Sequence, residues 1–247
     1  MIMKKIKTMK KRIKQIISIL IIISILPINS FSMSLDNTIK QKVCYLTFDD
    51  GPSQNTLKIL NILKQYNIKA TFFVVGSEKI EYVKQIYDEG HAVGLHTDTH
   101  EYSIYKDIYS YFVDLINISN KVEYYIGTKS NIMRFAGGSS NSTSIKYCLG
   151  IMSVLTKYVE NLGYTYFDWN VSSGDGSSNN TPKDTIVNNV LTQTGGREQI
   201  CVLMHDAPLK TTTVKALPEV ISGLIQQGYT FDVLSKETPT FHHIVVN

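Results

Sequence analysis

Two segments of the sequence combine carboxylates and imidazoles at spacings that suit a metal ion. Asp49 and Asp50 are adjacent within the run TFDDGP. Neighbouring carboxylates repel each other unless they share a cation or an arginine, although a simple Asp-Gly-Pro turn explains the same residues. His96 and His100 are four positions apart, which brings two imidazoles together on one side of a helical turn, although two surface histidines give the same pattern. Two histidines and one carboxylate make a catalytic zinc shell with an open position, so Asp50 could be the third ligand and Asp49 a free base.

Three further segments outside these two runs contain residues that could take part in a reaction or let the backbone approach a substrate. Arg134 ends one such run and could pair with a carboxylate through two N–H groups, and the glycines after it, among them Gly137, allow a backbone N–H to approach a substrate. His205 leaves another apolar run two residues after Leu203 and could be a general acid. Asp175 lies in a polar loop between two of these runs. Taken singly, each position also fits a purely structural role.

The segments that must position these residues alternate between strand and helix patterns, which predicts an α/β fold with a buried parallel sheet. Polar candidates then gather at the carboxyl ends of the strands, where such folds place their chemistry. Strands are predicted at 43–48, 70–75, 92–95, 131–135, 164–170, 200–204 and 229–234. Helices are predicted after residue 53 and at 78–88, 105–125, 149–162, 182–191 and 214–227.

The N-terminal region reads as an export signal that precedes one catalytic domain. Residues 1–32 carry seven Lys or Arg, no acidic residue and an apolar run at 16–26, which indicates a signal peptide or an uncleaved signal anchor. We expect a short linker at 33–41 and a single domain at 42–247. This organisation predicts a protein that is secreted or held on the outer face of the cell membrane.

Charge and cysteine content exclude several other classes of protein. The whole chain has a formal charge of +4, but without the first 32 residues it has 18 Lys and Arg against 21 Asp and Glu. The domain therefore lacks the basic surface of a nucleic-acid-binding protein. Three widely spaced cysteines without a CxxC pair do not form a disulfide framework and are poor candidates for metal ligands.

From about residue 42 to residue 234 the chain resembles the NodB-type polysaccharide deacetylases, which form carbohydrate esterase family four. The resemblance rests on the TFDDGP run and the HTDTH run, followed in the expected order by the arginine loop, a late aspartate and a Leu-Met-His run. It implies a distorted (β/α)7-type barrel that binds one divalent metal ion, Zn²⁺ or another such as Co²⁺. The implied roles are metal ligand for Asp50, His96 and His100, base for Asp49, acid for His205, positioning for Arg134 and Asp175, oxyanion donor for the Gly137 N–H, and lining of the acetyl pocket for Leu203.

The resemblance also sets an expectation for the substrate. We expect a monomeric enzyme that removes acetyl groups from N-acetylglucosamine in a cell-wall polysaccharide, with peptidoglycan favoured. Chitin or chito-oligosaccharides, acetylated xylan, or a non-catalytic glycan-binding role are the alternatives.

Two departures from the family pattern affect the walls of the expected site. Ala136 and Gly137 follow the arginine segment where the family usually has proline and tyrosine, and Gly176 follows Asp175 where the family usually has tryptophan. The single tryptophan, Trp169, belongs to the preceding predicted strand. The resemblance therefore implies a more open groove, which bears on the identity of the substrate more than on the chemistry.

Overall fold

A curved parallel β-sheet with helices packed against it forms the protein in this computed structural model, which describes Met3 and residues 41–247. The strands are β1 (Lys42–Asp49), β2 (Thr71–Val75), β3 (Ala92–Thr97), β4 (Ile132–Met133), β5 (Thr165–Tyr166), β6 (Val171–Ser172), β7 (Gln199–His205) and β8 (Tyr229–Phe231). The α-helices within 41–247 are α1 (Gln54–Gln65), α2 (Val83–Asp88), α3 (Ile108–Ile126), α4 (Ile151–Asn161), α5 (Lys183–Gln193) and α6 (Thr211–Gln226). Short 3-10 turns lie at Ile80–Tyr82, Tyr102–Lys106, Thr143–Lys146 and Asp175–Ser177.

Every strand pair in the sheet is parallel, and β1 is an inner strand that pairs with β2, β7 and β8. Its order is β5-β4-β3-β2-β1-β7-β6, and β8 pairs with the first residues of β1. The distorted (β/α)7-type barrel predicted from the sequence is confirmed by this arrangement. Because the strands are parallel, their carboxyl ends share one edge, and the β1–β7 register places Asp49 beside His205 there.

One predicted strand is much shorter in the structure than the sequence indicated. The segment predicted as a strand at 164–170 forms only the short β5, and the chain then crosses to the other end of the sheet order to form β6. The cause is a buried arginine: the carbonyls of Phe167 and Asp168 accept hydrogen bonds from the Arg134 guanidinium at 2.9 Å each. The Phe167 N–H still donates to the carbonyl of Met133 in β4, but the Asp168 N–H donates to the carbonyl of Phe241 near the C-terminus, so strand pairing ends at this point.

The helix predicted at 105–125 forms α3, preceded by the Tyr102–Lys106 turn. Asp107 caps α3 by accepting a hydrogen bond from the Ser110 N–H at 2.7 Å, and Gly127 ends the helix in the left-handed conformation with φ of 74°. The turn and the first part of α3 follow directly after the HTDTH segment, so both elements border the carboxyl edge of β3.

The predicted boundaries near the N-terminus lie outside the described residues, since 4–40 are not described. The residues from 41 onward belong to one compact unit. None of the helices in the described part of the chain is long and apolar enough to span a bilayer.

Candidate active site

The turn after β1 sends two adjacent carboxylates in different directions. Asp49 is the last residue of the strand, and Asp50 adopts the left-handed conformation with φ of 71°, before a cis peptide bond between Gly51 and Pro52. A non-glycine residue tolerates this conformation at some cost, and aspartate is among the residues that adopt it most readily. The reversal aims the Asp50 carboxylate at the two histidines, while the Asp49 carboxylate contacts Arg134.

Asp50, His96 and His100 form a three-ligand cluster. Asp50 Oδ1 lies 3.4 Å from His96 Nε2 and 3.1 Å from His100 Nε2, and the three ligand atoms lie within 4.8 Å of one another. Ligands held about 2.0–2.2 Å from a tetrahedral zinc are separated by roughly 3.3–3.6 Å, so the spacing suits such an ion. The sequence predicted these three residues as metal ligands, and the structure brings them together as a possible metal site.

The surroundings of this cluster also suit a cation. His96 Nδ1 lies 2.9 Å from the carbonyl of Arg134, which fixes the tautomer that leaves Nε2 with a free lone pair. Asp50 Oδ1 is buried without a hydrogen bond of good geometry. Burial acts to raise the pKa of Asp50, but the two imidazoles, when they are protonated at Nε2, outweigh it and hold that pKa well below its usual range. The Asp50 carboxylate and the two imidazoles can each offer an electron pair, so the three groups together suit a cation placed between them.

Arg134 is fully buried and holds Asp49. Its Nη1 donates to Asp49 Oδ1 at 2.8 Å and to the Thr47 hydroxyl at 2.7 Å. The guanidinium also stacks on the Phe73 ring at 4.2 Å. The sequence suggested a two-pronged pairing with a carboxylate, but Asp49 contacts a single N–H group, because the other groups bind the backbone of Phe167 and Asp168. Within residues 41–247, Asp49 Oδ2 therefore has no hydrogen bond, and it lies 3.9 Å from His96 Nε2.

His205 and Asp175 form a second coupled pair at the end of β7. His205 Nδ1 lies 2.7 Å from Asp175 Oδ1, and His205 Nε2 lies 4.0 Å from Asp50 Oδ2. Burial alone would lower the pKa of His205, but the hydrogen bond and charge of Asp175, together with Asp49 and Asp50, raise it to about 9. His205 thus favours the charged form, with Nε2 directed at the site.

Asp175 is in turn held by neutral donors. Its carboxylate accepts hydrogen bonds from the Ser173 hydroxyl and the Thr213 hydroxyl, at 2.7 Å each, and from the His205 N–H at 2.9 Å. Burial acts to raise the pKa of Asp175, but His205 and these hydroxyls outweigh it and lower that pKa. Sequence reasoning missed Thr213, since it lies at the start of α6, eight positions after His205.

The loop after Arg134 is shaped by two glycines with positive φ. Gly137 and Gly138 have φ of 77° and 78°. Ser139 continues the loop, and its N–H and hydroxyl donate to the Asp168 carboxylate at 2.7 and 2.5 Å. The N–H of His243, near the C-terminus, donates to the same carboxylate at 2.8 Å. Sequence reasoning also missed Asp168. An acidic residue inside a predicted buried strand is unusual, and that position was the available signal that its carboxylate has a specific partner.

The loop that carries His100 has a buried carboxylate behind it. Asp114, on α3, accepts hydrogen bonds from the Asp98 N–H at 2.6 Å, the Thr99 N–H at 3.2 Å and the Thr99 hydroxyl at 2.7 Å. His100 itself has φ of 56°, and its N–H donates to the Thr97 hydroxyl at 3.1 Å. Asp114 therefore fixes the loop in the conformation that presents His100. An acidic residue on the apolar face of a predicted helix was the signal for this role.

The remaining predicted positions line the same edge. Leu203 is buried, two residues before His205 and on the same face of β7. A Cβ at Gly176 would lie 2.9 Å from His205 Cε1, so a side chain there would displace the imidazole. Trp169 lies instead against the glycine loop, since a Cβ at Gly138 would come 3.0 Å from its ring. The structure thus gathers all nine predicted site residues at one edge of the sheet.

Comparison with known proteins places this site in a family. A sequence model of the polysaccharide deacetylase family matches residues 36–166. The peptidoglycan-N-acetylglucosamine deacetylase of Bacillus cereus is 34% identical over 227 residues, which cover 89% of this chain and 77% of that protein. The bifunctional xylanase/deacetylase of Pseudobutyrivibrio xylanivorans is 31% identical over 208 residues, which cover 84% of this chain but 32% of that protein.

A solved structure of a deacetylase is also similar to this chain. The catalytic domain of peptidoglycan N-acetylglucosamine deacetylase from Eubacterium rectale is similar with a TM-score of 0.80 and 38% identity, over 83% of this chain and 94% of that one. The fold and the site define an α/β barrel hydrolase with acidic and imidazole groups around a possible metal site. The chain belongs to the polysaccharide deacetylase family.

Proposed function

We propose that the protein is a metal-dependent hydrolase that removes acetyl groups from N-acetylglucosamine residues of a cell-wall polysaccharide, with peptidoglycan as the favoured polymer. One observation carries the proposal: Asp49 Oδ2 lies 3.9 Å from His96 Nε2 and His205 Nε2 lies 4.0 Å from Asp50 Oδ2, and Asp49 and His205 are each held by a partner of opposite charge. Hydrolysis of an amide needs a base for water and an acid for the amine, and this pair offers both beside a candidate metal site.

The chemistry divides between the ion and the chain. Asp50, His96 and His100 would hold a divalent ion, which we propose to be Zn²⁺ or Co²⁺, and this ion would supply polarisation of the acetyl carbonyl and a lower pKa for water. Asp49 Oδ2 accepts the proton of the attacking water, since its other oxygen is occupied by Arg134. The N–H of Gly137 donates to the developing oxyanion, and one such donor contributes about 3 kcal/mol. His205 Nε2 then protonates the leaving amine.

The positioning residues keep these groups in place. Arg134 holds Asp49 Oδ1 at 2.8 Å, and Asp175 holds His205 Nδ1 at 2.7 Å with the imidazole charged. Leu203 lies two residues before His205 on β7 and is buried. Its side chain forms the apolar floor of the pocket for the acetyl methyl group. Acetate and a free amine are the products, and no covalent enzyme intermediate is required.

The choice of polymer follows the relatives. Two of the similar proteins are named for peptidoglycan N-acetylglucosamine, and the polymer lies outside the cytoplasmic membrane. The proposal therefore includes export, with residues 1–32 as a signal peptide or anchor. Acetylated xylan is the second candidate, because a relative at 31% identity carries a deacetylase together with a xylanase.

The test is acetate release from a panel of purified glycans. The protein is stripped with a chelator, reloaded with Zn²⁺ or Co²⁺, and supplied with peptidoglycan, chito-oligosaccharides or acetylated xylan. We expect metal-dependent release, fastest from peptidoglycan. Release from xylan alone would replace the proposed substrate, and a protein that binds glycan but releases no acetate in any metal-loaded form would be a non-catalytic relative.

A further inference from the structure

A tyrosine hydroxyl without a partner lies between the possible metal site and the glycine loop. Tyr102 is half-buried and begins the Tyr102–Lys106 turn, two residues after His100. Its ring packs edge-on against the His100 imidazole, with 6.3 Å between ring centroids. Among the described residues the Tyr102 hydroxyl has no hydrogen-bond partner. A half-buried hydroxyl ordinarily finds one, so this group is available to a ligand.

The position of Gly137 shows where that hydroxyl points. A Cβ built on Gly137 would lie 2.9 Å from Tyr102 Oη, closer than a side chain allows. The hydroxyl therefore lies against the Cα of the residue whose N–H we propose as the oxyanion donor. The lack of a side chain at position 137 leaves this space to Tyr102.

The two groups are held in a fixed relation. Tyr105, in the same turn as Tyr102, is fully buried and donates its hydroxyl to the carbonyl of Ala136 at 3.0 Å. Asn141 Nδ2 donates to the same carbonyl at 3.1 Å. The Tyr102–Lys106 turn and the glycine loop are thus bonded to each other through Ala136, which immediately precedes Gly137. A pre-positioned donor of this kind is what stabilisation of a transition state requires.

We propose that Tyr102 is a further catalytic residue, whose hydroxyl donates a hydrogen bond to the acetyl oxygen of the substrate as negative charge develops on it. The inference rests on the proposed function and adds a side-chain donor to the Gly137 N–H. Proton transfer is not involved, since the hydroxyl keeps its hydrogen throughout. Because the bond strengthens as charge develops, its loss lowers kcat more than it raises KM.

Tyr102→Phe tests this directly, because it removes only the oxygen and keeps the ring against His100. The full chain, loaded with zinc, is assayed for acetate release from N-acetylated chito-oligosaccharides and from peptidoglycan. Loss of one oxyanion donor lowers kcat by about 10²-fold. We expect a loss of that order, with KM within threefold, unchanged zinc content and unchanged thermal stability, since the hydroxyl has no internal partner to lose. Tyr109→Phe is the matched control, because Tyr109 is 79% exposed on α3, and it should keep kcat within twofold.

Each other outcome overturns the inference in a recognisable way. A kcat of Tyr102→Phe within threefold of the wild type, with the wild type active, removes Tyr102 from catalysis and leaves the proposed function standing. A rise in KM alone assigns the hydroxyl to a sugar contact, and a loss of zinc assigns it to support of His100. A wild-type protein that releases no acetate from any glycan overturns both the proposed function and this inference.

Discussion

Replacement of Asp114 by asparagine tests how far a residue outside the metal site controls metal affinity. Asp114 is buried and receives three hydrogen bonds from the loop that carries His100. Asparagine keeps one acceptor oxygen, but its amide group is a donor and cannot accept from the Thr99 N–H or hydroxyl. Hydrogen bonds to charged groups contribute about 1.5–3 kcal/mol each, and the retained bond weakens as well.

The expected loss in the loop is therefore about 2–3 kcal/mol, allowing for water that can reach the exposed side of Thr99. His100 is held at a φ of 56°, so a loosened loop must be ordered again when the ion binds. That ordering cost is subtracted from the binding free energy, and about 2–3 kcal/mol corresponds to a roughly 30- to 150-fold weaker Kd for zinc. We expect Asp114→Asn to bind zinc about 10²-fold less tightly than the wild type.

The assay is competition for zinc with a chelator of known affinity, together with thermal denaturation of the metal-free proteins. Asp107→Ala is the control, because Asp107 caps the same helix, α3, and contacts Ser110 instead of the metal loop. It should lower thermal stability and leave the zinc Kd unchanged. The reasoning fails if Asp114→Asn keeps its zinc Kd within threefold of the wild type, or if Asp107→Ala weakens zinc binding as much.

Three other variants separate the proposed roles. Asp49→Asn should keep zinc and lose about 10²–10⁴-fold in kcat for acetate release, as a general base does when removed, whereas an empty metal site would mean that Asp49 is a ligand. Asp175→Asn removes the negative charge that favours the imidazolium of His205, so the pKa of His205 should fall from about 9. The alkaline limb of the pH profile of kcat/KM should then move to lower pH. If the limb does not move, a group other than His205 sets it. Asp168→Asn loosens the loop through Ser139 and should lower kcat with zinc still bound, and an unchanged kcat would contradict that link.

The gathering of the predicted site residues at one edge could be expected, because most of them lie at or just after the end of an apolar run. Parallel strands bring such positions to one edge whatever the length of chain between them, so Asp49 and His205 become neighbours across 156 positions of sequence. Distances could not be predicted, since the reversal at Asp50 depends on a backbone conformation that the run TFDDGP does not specify.

The supporting residues escaped prediction for a related reason. Asp114 and Asp168 sit among apolar residues of a helix and a strand-like run, and their partners lie 15 and 29 positions away. Nothing in the local pattern indicates which backbone groups a buried carboxylate will meet. The shortening of the predicted strand at 164–170 has the same origin. The carbonyls of Phe167 and Asp168 accept hydrogen bonds from Arg134, which follows β4, instead of pairing with a neighbouring strand.

The two adjacent aspartates show how the fold gives different chemistry to identical side chains. Asp49 pairs with a guanidinium that has no contact with solvent, so one of its oxygens is fixed and the other is the one we propose as proton acceptor. Asp50 faces the Nε2 atoms of His96 and His100 at 3.4 and 3.1 Å, so its charge lies where the three groups could share a cation. Arg134 links the two environments, because its side chain holds Asp49 and its carbonyl fixes the tautomer of His96. A change at Arg134 is therefore expected to affect the proposed base and the possible metal site together.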